Sequence, residues 1–306
     1  MNKITILMGK NGKASVRRIL PQMQSLCEVI ARRILKVGAR FGILTPIENE
    51  GFNFKKIPNV SLADKKVIRW GNRIEVAANK ATIVYNKAEA IANASNKKLA
   101  REIFAKEKVR CPKLINLENI QENDYPIIAR PSQHAKGENF VILNTIDEFK
   151  NHFDINSPQG WYYSEFIDKQ REFRVHCAHG KILAIMEKPK GEGIAWNLAV
   201  ENQAFTRLLQ EEYIFSVCIQ ALKAIKALGL DFGGVDVLYK EVEGKTKAYI
   251  LEVNTSPAVD SSEYVSLQYA KYFDWLNRTE KRRDHWDFSK FEAASSFAWK
   301  QAQLMN

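Results

Sequence analysis

Tyr249-Ile-Leu-Glu-Val-Asn-Thr-Ser-Pro257, preceded by Gly233-Gly-Val-Asp236, decides how this chain reads. Residues 234–240 and 248–254 both alternate as strands do, and Gly244 lies midway between Asp236 and Glu252. A hairpin turning around Gly244 therefore sets Asp236 directly opposite Glu252. Asn254 shares their face, because strand side chains alternate. Opposed carboxylates destabilise a sheet unless a cation lies between them. Two carboxylates and an amide oxygen are hard ligands, suited to Mg2+ or Mn2+ that also holds phosphate oxygens. The competing reading, a solvated hairpin face with scattered charges, fits these otherwise apolar strands less well.

The rest of the chain bounds what this hairpin can belong to. A length of 306 residues predicts two or more units, and 45% hydrophobic with 26% charged residues is ordinary globular composition. No apolar run is long enough to span a bilayer, and the opening residues read as a first strand, not a signal peptide. Cys27, Cys111, Cys177 and Cys218 are dispersed, which predicts free thiols in a reducing cytoplasm. The net charge of +11 is unevenly placed. Residues 1–113 hold 24 Lys and Arg against 8 Asp and Glu, whereas the remainder is net acidic. The basic part is expected to face something acidic: a nucleotide, an acidic peptide or nucleic acid. A solubility surface is the plainer alternative, and the aromatic interleaving of single-strand binders is absent there.

Along the chain, residues 3–8, 40–44 and 67–71 read as short strands, and residues 18–36 as a helix entered near Pro21. Together they predict a small parallel α/β sheet. Residues 88–108 read as one helix, and Cys111-Pro112 closes that unit. Strands are expected at 126–130, 140–143 and 161–167, an amphipathic helix at 211–228, and packed helix from Glu263 onward. The segment Gly9-Lys-Asn-Gly-Lys13 lacks the spacing of a P-loop.

Four further features accompany the hairpin. Arg130 ends a strand beside a small polar loop, where a guanidinium can bridge phosphate oxygens. Glu165, at the end of an apolar strand, can lie beside a purine and its ribose. In Arg171-Glu-Phe-Arg-Val-His176, joined through His179-Gly180 to residues 181–188, Glu172, Arg174 and His176 share one face of a predicted hairpin. His176 and His179 themselves read as surface or turn histidines. Lys188-Pro-Lys190, with Gly191, Gly193 and Trp196-Asn197-Leu198, reads as a basic loop able to close over an anion.

With these residues together, the chain resembles the ATP-grasp ligases, particularly the RimK-like glutamate ligases and the D-alanine–D-alanine ligases. The likeness covers roughly residues 95–265, and residues 228–236 and 251–257 match the family's paired metal strands most specifically. It implies an α/β (α+β) fold: an ATP-grasp domain over 96–306, with lid subdomain 112–190, metal-binding subdomain 191–262 and a helical tail, after a small α/β domain over 1–95. It implies ATP and one or two Mg2+ (or Mn2+) ions as cofactors. Asp236, Glu252 and Asn254 would be the metal ligands. Lys97, Arg130, Glu165, Ile167 and Glu172 would bind nucleotide, with Arg130 standing where the family usually has Lys. Arg174, Lys188 and Asn197 would serve the reacting phosphoryl and acyl groups. The activity implied is ADP-forming ligation of a carboxylate to an amine through an acyl phosphate. The expected partner is an acidic small molecule, peptide or protein tail. Amino-acid ligation to nucleic acid, phosphoryl transfer alone and a non-catalytic ATP-binding module remain alternatives. No membrane partner is expected, and a homo-oligomer is left open.

Overall fold

The computed structural model describes residues 4–9, 12–24, 27–35, 38–47, 51–56, 62–63, 65–73, 79, 82–131, 140–155, 160–191, 204–209, 212, 214–259 and 262–278. Over most of 28–56 only the backbone is described.

A mixed six-stranded sheet comes first. Its strands are β1 (Ile4–Met8), β2 (Cys27–Leu35), β3 (Gly38–Ile47), β4 (Gly51–Lys56), β5 (Lys66–Trp70) and β6 (Ile83–Tyr85), in the order β4-β3-β2-β1-β5-β6. β1 is parallel to β2 and β5, and β5 to β6, while β2-β3-β4 form an antiparallel meander. The expected all-parallel sheet is thus corrected to a mixed one. The expected helix at 18–36 is corrected too. Helix α1 (Lys13–Ile19) stops in a short 3-10 turn at Leu20–Gln22 that contains Pro21, and Cys27–Leu35 is a strand. Proline closes a helix here instead of opening one. The β-branched Val29 then suits a slot beside β1.

The single helix expected over 88–108 is two, α2 (Ala88–Ser95) and α3 (Lys97–Lys106). Asn96 has extended backbone, and its side-chain oxygen accepts the Leu99 N–H at 3.2 Å, capping α3. A small layer follows, with β7 (Ile127–Pro131) between β8 (Val141–Leu143) and β9 (Trp161–Glu165), and helix α4 (Ile146–Ile155) packed on it. It has a core of its own around Ile127, Ala129, Leu143, Phe149 and Tyr163.

The sheet that carries the opening stretch has the order β12-β11-β10-β13-β14 and is antiparallel throughout. Its strands are β10 (Arg171–Ala178), β11 (Lys181–Lys188), β12 (Thr206–Arg207), β13 (Phe232–Val242) and β14 (Lys245–Asn254). One face is apolar throughout: Phe173, Val175, Val235, Val237, Ala248 and Ile250 pack against helix α5 (Phe215–Ala227) through Val217, Cys218, Ala221 and Ile225. The other face is divided. At one end Ala178, Ala184 and Phe232 lie under helix α6 (Glu263–Arg278), in a core that also takes in Ile4, Ile6, Ile68 and Trp70 of the first sheet. Trp70 stacks on Phe232 at 5.6 Å and meets Tyr269 edge-on at 5.2 Å. At the other end the same face carries Arg174, Asp236 and Glu252.

Two hairpins set this face. His179 and Gly180 turn β10 into β11 with positive φ at both residues, as expected. β13 turns into β14 on Glu243 and Gly244 (φ 52° and 71°), the two-residue turn that suits hairpin twist. The turn is therefore centred between those residues and not on Gly244. Continued unbroken, that register would put Leu251 opposite Asp236. A bulge absorbs one residue, so Val237 pairs with Ile250 and Asp236 with Glu252. The pairing expected from numbering is present, but the bulge produces it.

Candidate functional site

Along the polar half of the face, three strands and a helix place four charges in sequence. Arg174 pairs with Asp236 across β10 and β13, and Asp236 with Glu252 across β13 and β14. The Arg174 guanidinium donates through Nε to Asp236 Oδ1 at 2.7 Å and through Nη2 to Oδ2 at 2.8 Å. Lys97, in the first turn of α3, reaches the far end of the row and meets Glu252 Oε2 at 2.9 Å. Between the carboxylates, the Asn254 amide lies 3.5 Å from Asp236 Oδ2 and 3.3 Å from Glu252 Oε1. The row therefore reads cation, carboxylate, carboxylate, cation, with an amide bridging its centre.

Burial makes these charges depend on one another. Asp236 is 6% exposed. Desolvation pushes its carboxyl above the usual range, and Arg174 opposes that shift. Burial also raises the cost of charging Glu252, but Lys97, then Arg174 and the Asn254 amide, outweigh it and hold Glu252 down at about 2. Burial works against the Arg174 charge as well, and Asp236 and Glu252 more than compensate, so its pKa lies above its ordinary value.

Glycines and a proline shape the floor. A Cβ on Gly234 would lie 2.7 Å from Pro257 Cβ and 3.6 Å from Arg174 Cδ, so only hydrogen fits between them. Gly71, at φ 67°, ends β5 where a Cβ would meet Ser256 Oγ at 2.7 Å. Ser15 donates to Pro257 O at 3.1 Å and accepts the Val259 N–H at 3.2 Å. The first sheet thus abuts the loop that leaves the carboxylate strand.

Next to the row lies a second cluster. Glu172, 3% exposed, accepts Lys188 at 2.8 Å on Oε1 and Lys169 on Oε2. Lys188 is its partner across the β10–β11 register. Arg171 makes a two-bond pair with Glu187 at 2.6 and 2.7 Å. Arg130, at the end of β7, lies with its guanidinium 5.7 Å from the Phe140 ring centre. Glu165 ends β9, where it accepts the Lys113 N–H at 3.3 Å and raises the pKa of nearby Cys111 and Tyr249 as a lesser contribution after desolvation. Ile167 follows at 7% exposure.

Of the residues singled out from the sequence, Lys97, Arg174, Asp236, Glu252 and Asn254 thus come together in one row, and Glu172 with Lys188 beside it. Glu165, Ile167 and Arg130 belong to the small layer and the segment leaving it. Asn197 lies outside the described residues, as does the polar loop after Pro131. Sequence reasoning missed Lys169, whose signal was its position three residues before Glu172. It also expected surface or turn histidines, and although His179 does lie in a turn, both are buried. His176 and His179 are buried at 1% and 6% exposure and face the Tyr269 and Tyr272 hydroxyls of α6 at 3.2 and 2.5 Å. An alternating strand pattern cannot show that a helix more than ninety residues later covers that end of the face.

The donor set fits a hard divalent cation. Two carboxylates and an amide converge, and an amide turned end for end presents oxygen to the same point. Lys97 and Arg174 balance the two negative charges meanwhile. Among the described residues no three His, Cys, Asp or Glu side chains form a metal set, so the amide of Asn254 is needed to complete one here. No described helix is long and apolar enough to cross a membrane.

No protein-family profile matches the chain. The tetrahydromethanopterin:alpha-L-glutamate ligase of Methanocaldococcus jannaschii is 27% identical over 195 residues, and the aligned part spans 57% of this chain and 62% of that protein. The ATP-grasp ligase PsnB, complexed with minimal precursor, Mg and ADP, superposes with a TM-score of 0.60 at 12% identity, over 90% of this chain and 98% of that one. A Chryseobacterium gregarium RiPP-associated ATP-grasp ligase, in complex with ADP and a leader and core peptide, gives 0.59 at 12% identity, over 92% and 99%. D-alanine–D-alanine ligase from Bacillus anthracis gives 0.55 at 14% identity, over 92% and 97%. The architecture is the ATP-grasp fold, as the paired strands led us to expect.

Proposed function

We propose that this chain is an ADP-forming carboxylate–amine ligase that uses ATP and Mg2+ or Mn2+ to join an acidic substrate to an amine. The observation that carries the reading is the row Arg174–Asp236–Glu252–Lys97 with Asn254 at its centre. A binding scaffold has no need of two directly opposed carboxylates, one buried and one half-buried, and a site for metal-bound polyphosphate does. The proteins similar to this chain support it: the archaeal relative is named as a glutamate ligase, and two structural neighbours hold ADP.

In this reading Asp236, Glu252 and Asn254 hold the metal. ATP would supply the γ-phosphoryl group that turns the substrate carboxylate into an acyl phosphate and leaves ADP, and the metal would offset charge on the phosphate oxygens. Amine attack then forms the amide and releases phosphate. The chain's contribution is positioning and charge. Lys97, Arg130 and Lys188 offer cations to phosphate oxygens. Arg174, fixed in the plane of its two bonds to Asp236, orients the reacting groups. Glu165 and the Ile167 backbone face the base. Asn197 belongs to the same assignment. The charge imbalance of residues 1–113 supports an acidic acceptor such as a glutamate-rich peptide, a protein tail or an amino acid, with residues 1–95 as the acceptor-facing unit.

The test is ADP release screened against amino acids, acidic peptides and oligonucleotides, followed by product mass. The expected product gains the mass of the amine less one water, and inorganic phosphate is released only when carboxylate and amine are both present. A stable phosphorylated product, with no phosphate released when amine is added, would favour simple phosphoryl transfer. Replacing Glu252→Gln should abolish metal-dependent ADP release, and full turnover in that variant would remove Glu252 from the metal site.

A further inference from the structure

The charged row continues past Arg174 on the side away from Asp236. Arg174 pairs with Met186 of β11, and Met186 pairs with Arg207 of β12, the edge strand. Residues directly opposed in an antiparallel sheet point to one face. Arg207, Met186, Arg174, Asp236 and Glu252 therefore form a single line across five strands. At two strand spacings, the Arg207 backbone stands about 10 Å from that of Arg174. Met186, buried, fills the interval without a charge.

Strand β12 gives each arginine an aromatic partner. Phe205, just before the strand, has its ring centre 5.1 Å from the Arg174 guanidinium carbon. The Arg207 guanidinium carbon lies 3.3 Å from the ring centre of Tyr264, in the first turn of α6. At that distance the planar group lies flat on the ring, because an edge-on approach would drive a nitrogen into it. A guanidinium held flat keeps its N–H donors in its own plane, open to an acceptor. Arg207 is also exposed. The other two arginines of this sheet are committed: Arg171 makes two bonds to Glu187, and Arg174 two to Asp236. Among the described residues no carboxylate forms an ion pair with Arg207. An exposed arginine resting on a tyrosine is an ordinary surface feature. A register that sets it in line with Arg174 and two opposed carboxylates is not.

We propose that Arg207 binds the carboxylate of the acidic substrate that is not being activated, and so selects that substrate. The ligand class is a glutamate-like dicarboxylate or a peptide of such residues. Two guanidinium groups on one line, one locked to Asp236 and one open, suit a molecule with one carboxylate to activate and another to hold. The inference rests on the ligase reading above and names a residue for its substrate class.

The experiment measures binding of fluorescently labelled hexaglutamate by anisotropy, with ADP and Mg2+ present, to the full chain and its variants. ADP is titrated calorimetrically in parallel. The unaltered chain should bind hexaglutamate, and hexaglutamine at least tenfold more weakly. Arg207→Gln should lose at least tenfold in hexaglutamate affinity and keep its ADP affinity. Lys223→Gln removes the same charge from an exposed position on α5, which packs on the opposite face of the sheet, and should bind both ligands as the unaltered chain does. Undiminished hexaglutamate binding by Arg207→Gln overturns the proposal. Equal losses in the two variants overturn it as well, since net charge alone would then be at work. So does a chain that binds ADP but not hexaglutamate, or an Arg207→Gln variant that loses ADP together with the peptide. A chain that binds no ADP removes the ATP-dependent reading and this proposal with it, a result distinct from all of these.

Discussion

Lys97 and Glu252 meet at 2.9 Å although one opens a helix and the other stands on a strand more than a hundred and fifty residues later. Their side chains are 19% and 28% exposed, so the pair is partly screened. Its value lies in where it puts a cation. Lys97→Met is expected to change stability by under about 1 kcal/mol while cutting ADP release at least tenfold. Parallel urea melts and turnover measurements check this, and turnover equal to that of the parent chain would remove Lys97 from the site.

Gly234 faces Pro257 with no room for a methyl group. Gly234→Ala should destabilise by about 1–3 kcal/mol, the usual cost of overpacking, and displace the loop that carries Ser256 away from Gly71. The urea midpoint gives the first effect. The second should appear as changed amide shifts at residues 255–257. A variant with unaltered midpoint and shifts would contradict the packing described.

Glu243 occupies a positive-φ position for which glutamate is a poor choice. Glu243→Asn, suited to the two-residue hairpin turn, should stabilise by roughly 0.5 kcal/mol and raise the melting temperature without touching activity. Gly244→Ala, at φ 71° in open space, should lower stability by about 1 kcal/mol through backbone strain alone. The pair of melts separates turn conformation from packing, because nothing lies near the Gly244 side-chain direction.

His176 is held neutral by burial, with Arg174 adding repulsion, and its pKa drops to about 3 from 6.5. The unfolded chain therefore binds a proton that the native state refuses between those values. The stability linked to His176 is complete above pH 6.5 and is lost as pH falls towards 3, at about 1.4 kcal/mol per unit. Comparing urea midpoints at several pH values in the parent and in His176→Gln measures it. The parent should lose more stability on acidification. Parallel curves would show that His176 does not carry the linkage.

Much of the site was legible because it is built from neighbours in strand register. Arg174, Asp236, Glu252 and Asn254 need only period-two alternation and a turn, and both can be read from a sequence. The bulge could not be read, since one unpaired residue leaves no mark in composition. The helix expected at 18–36 failed because an apolar period over Cys27–Leu35 fits helix or strand, and only β1 and β3 on either side decide. Lys169 and the two histidines were missed for one reason. The histidines are covered by α6, and Lys169 is enclosed where it meets Glu172, and periodicity reports a face without saying what covers it.

The division of the core has a mechanical consequence. The first sheet, the carboxylate sheet, α5 and α6 are tied by cores that cross between them, so they form one stiff body. Among the described residues, the layer of β7, β8, β9 and α4 has a core of its own and meets that body along narrow seams: where Ile115 and Tyr163 share a backbone hydrogen bond, where Arg101 of α3 lies over the Tyr162 ring, and along residues 166–170. Opening of the molecule to admit a large ligand should therefore be a swing of that layer about those seams. Hydrogen exchange should find the β7 and β9 amides exchanging together and ahead of those in β10 and β13. Exchange of all four strands in a single step would mean that the molecule opens as one piece.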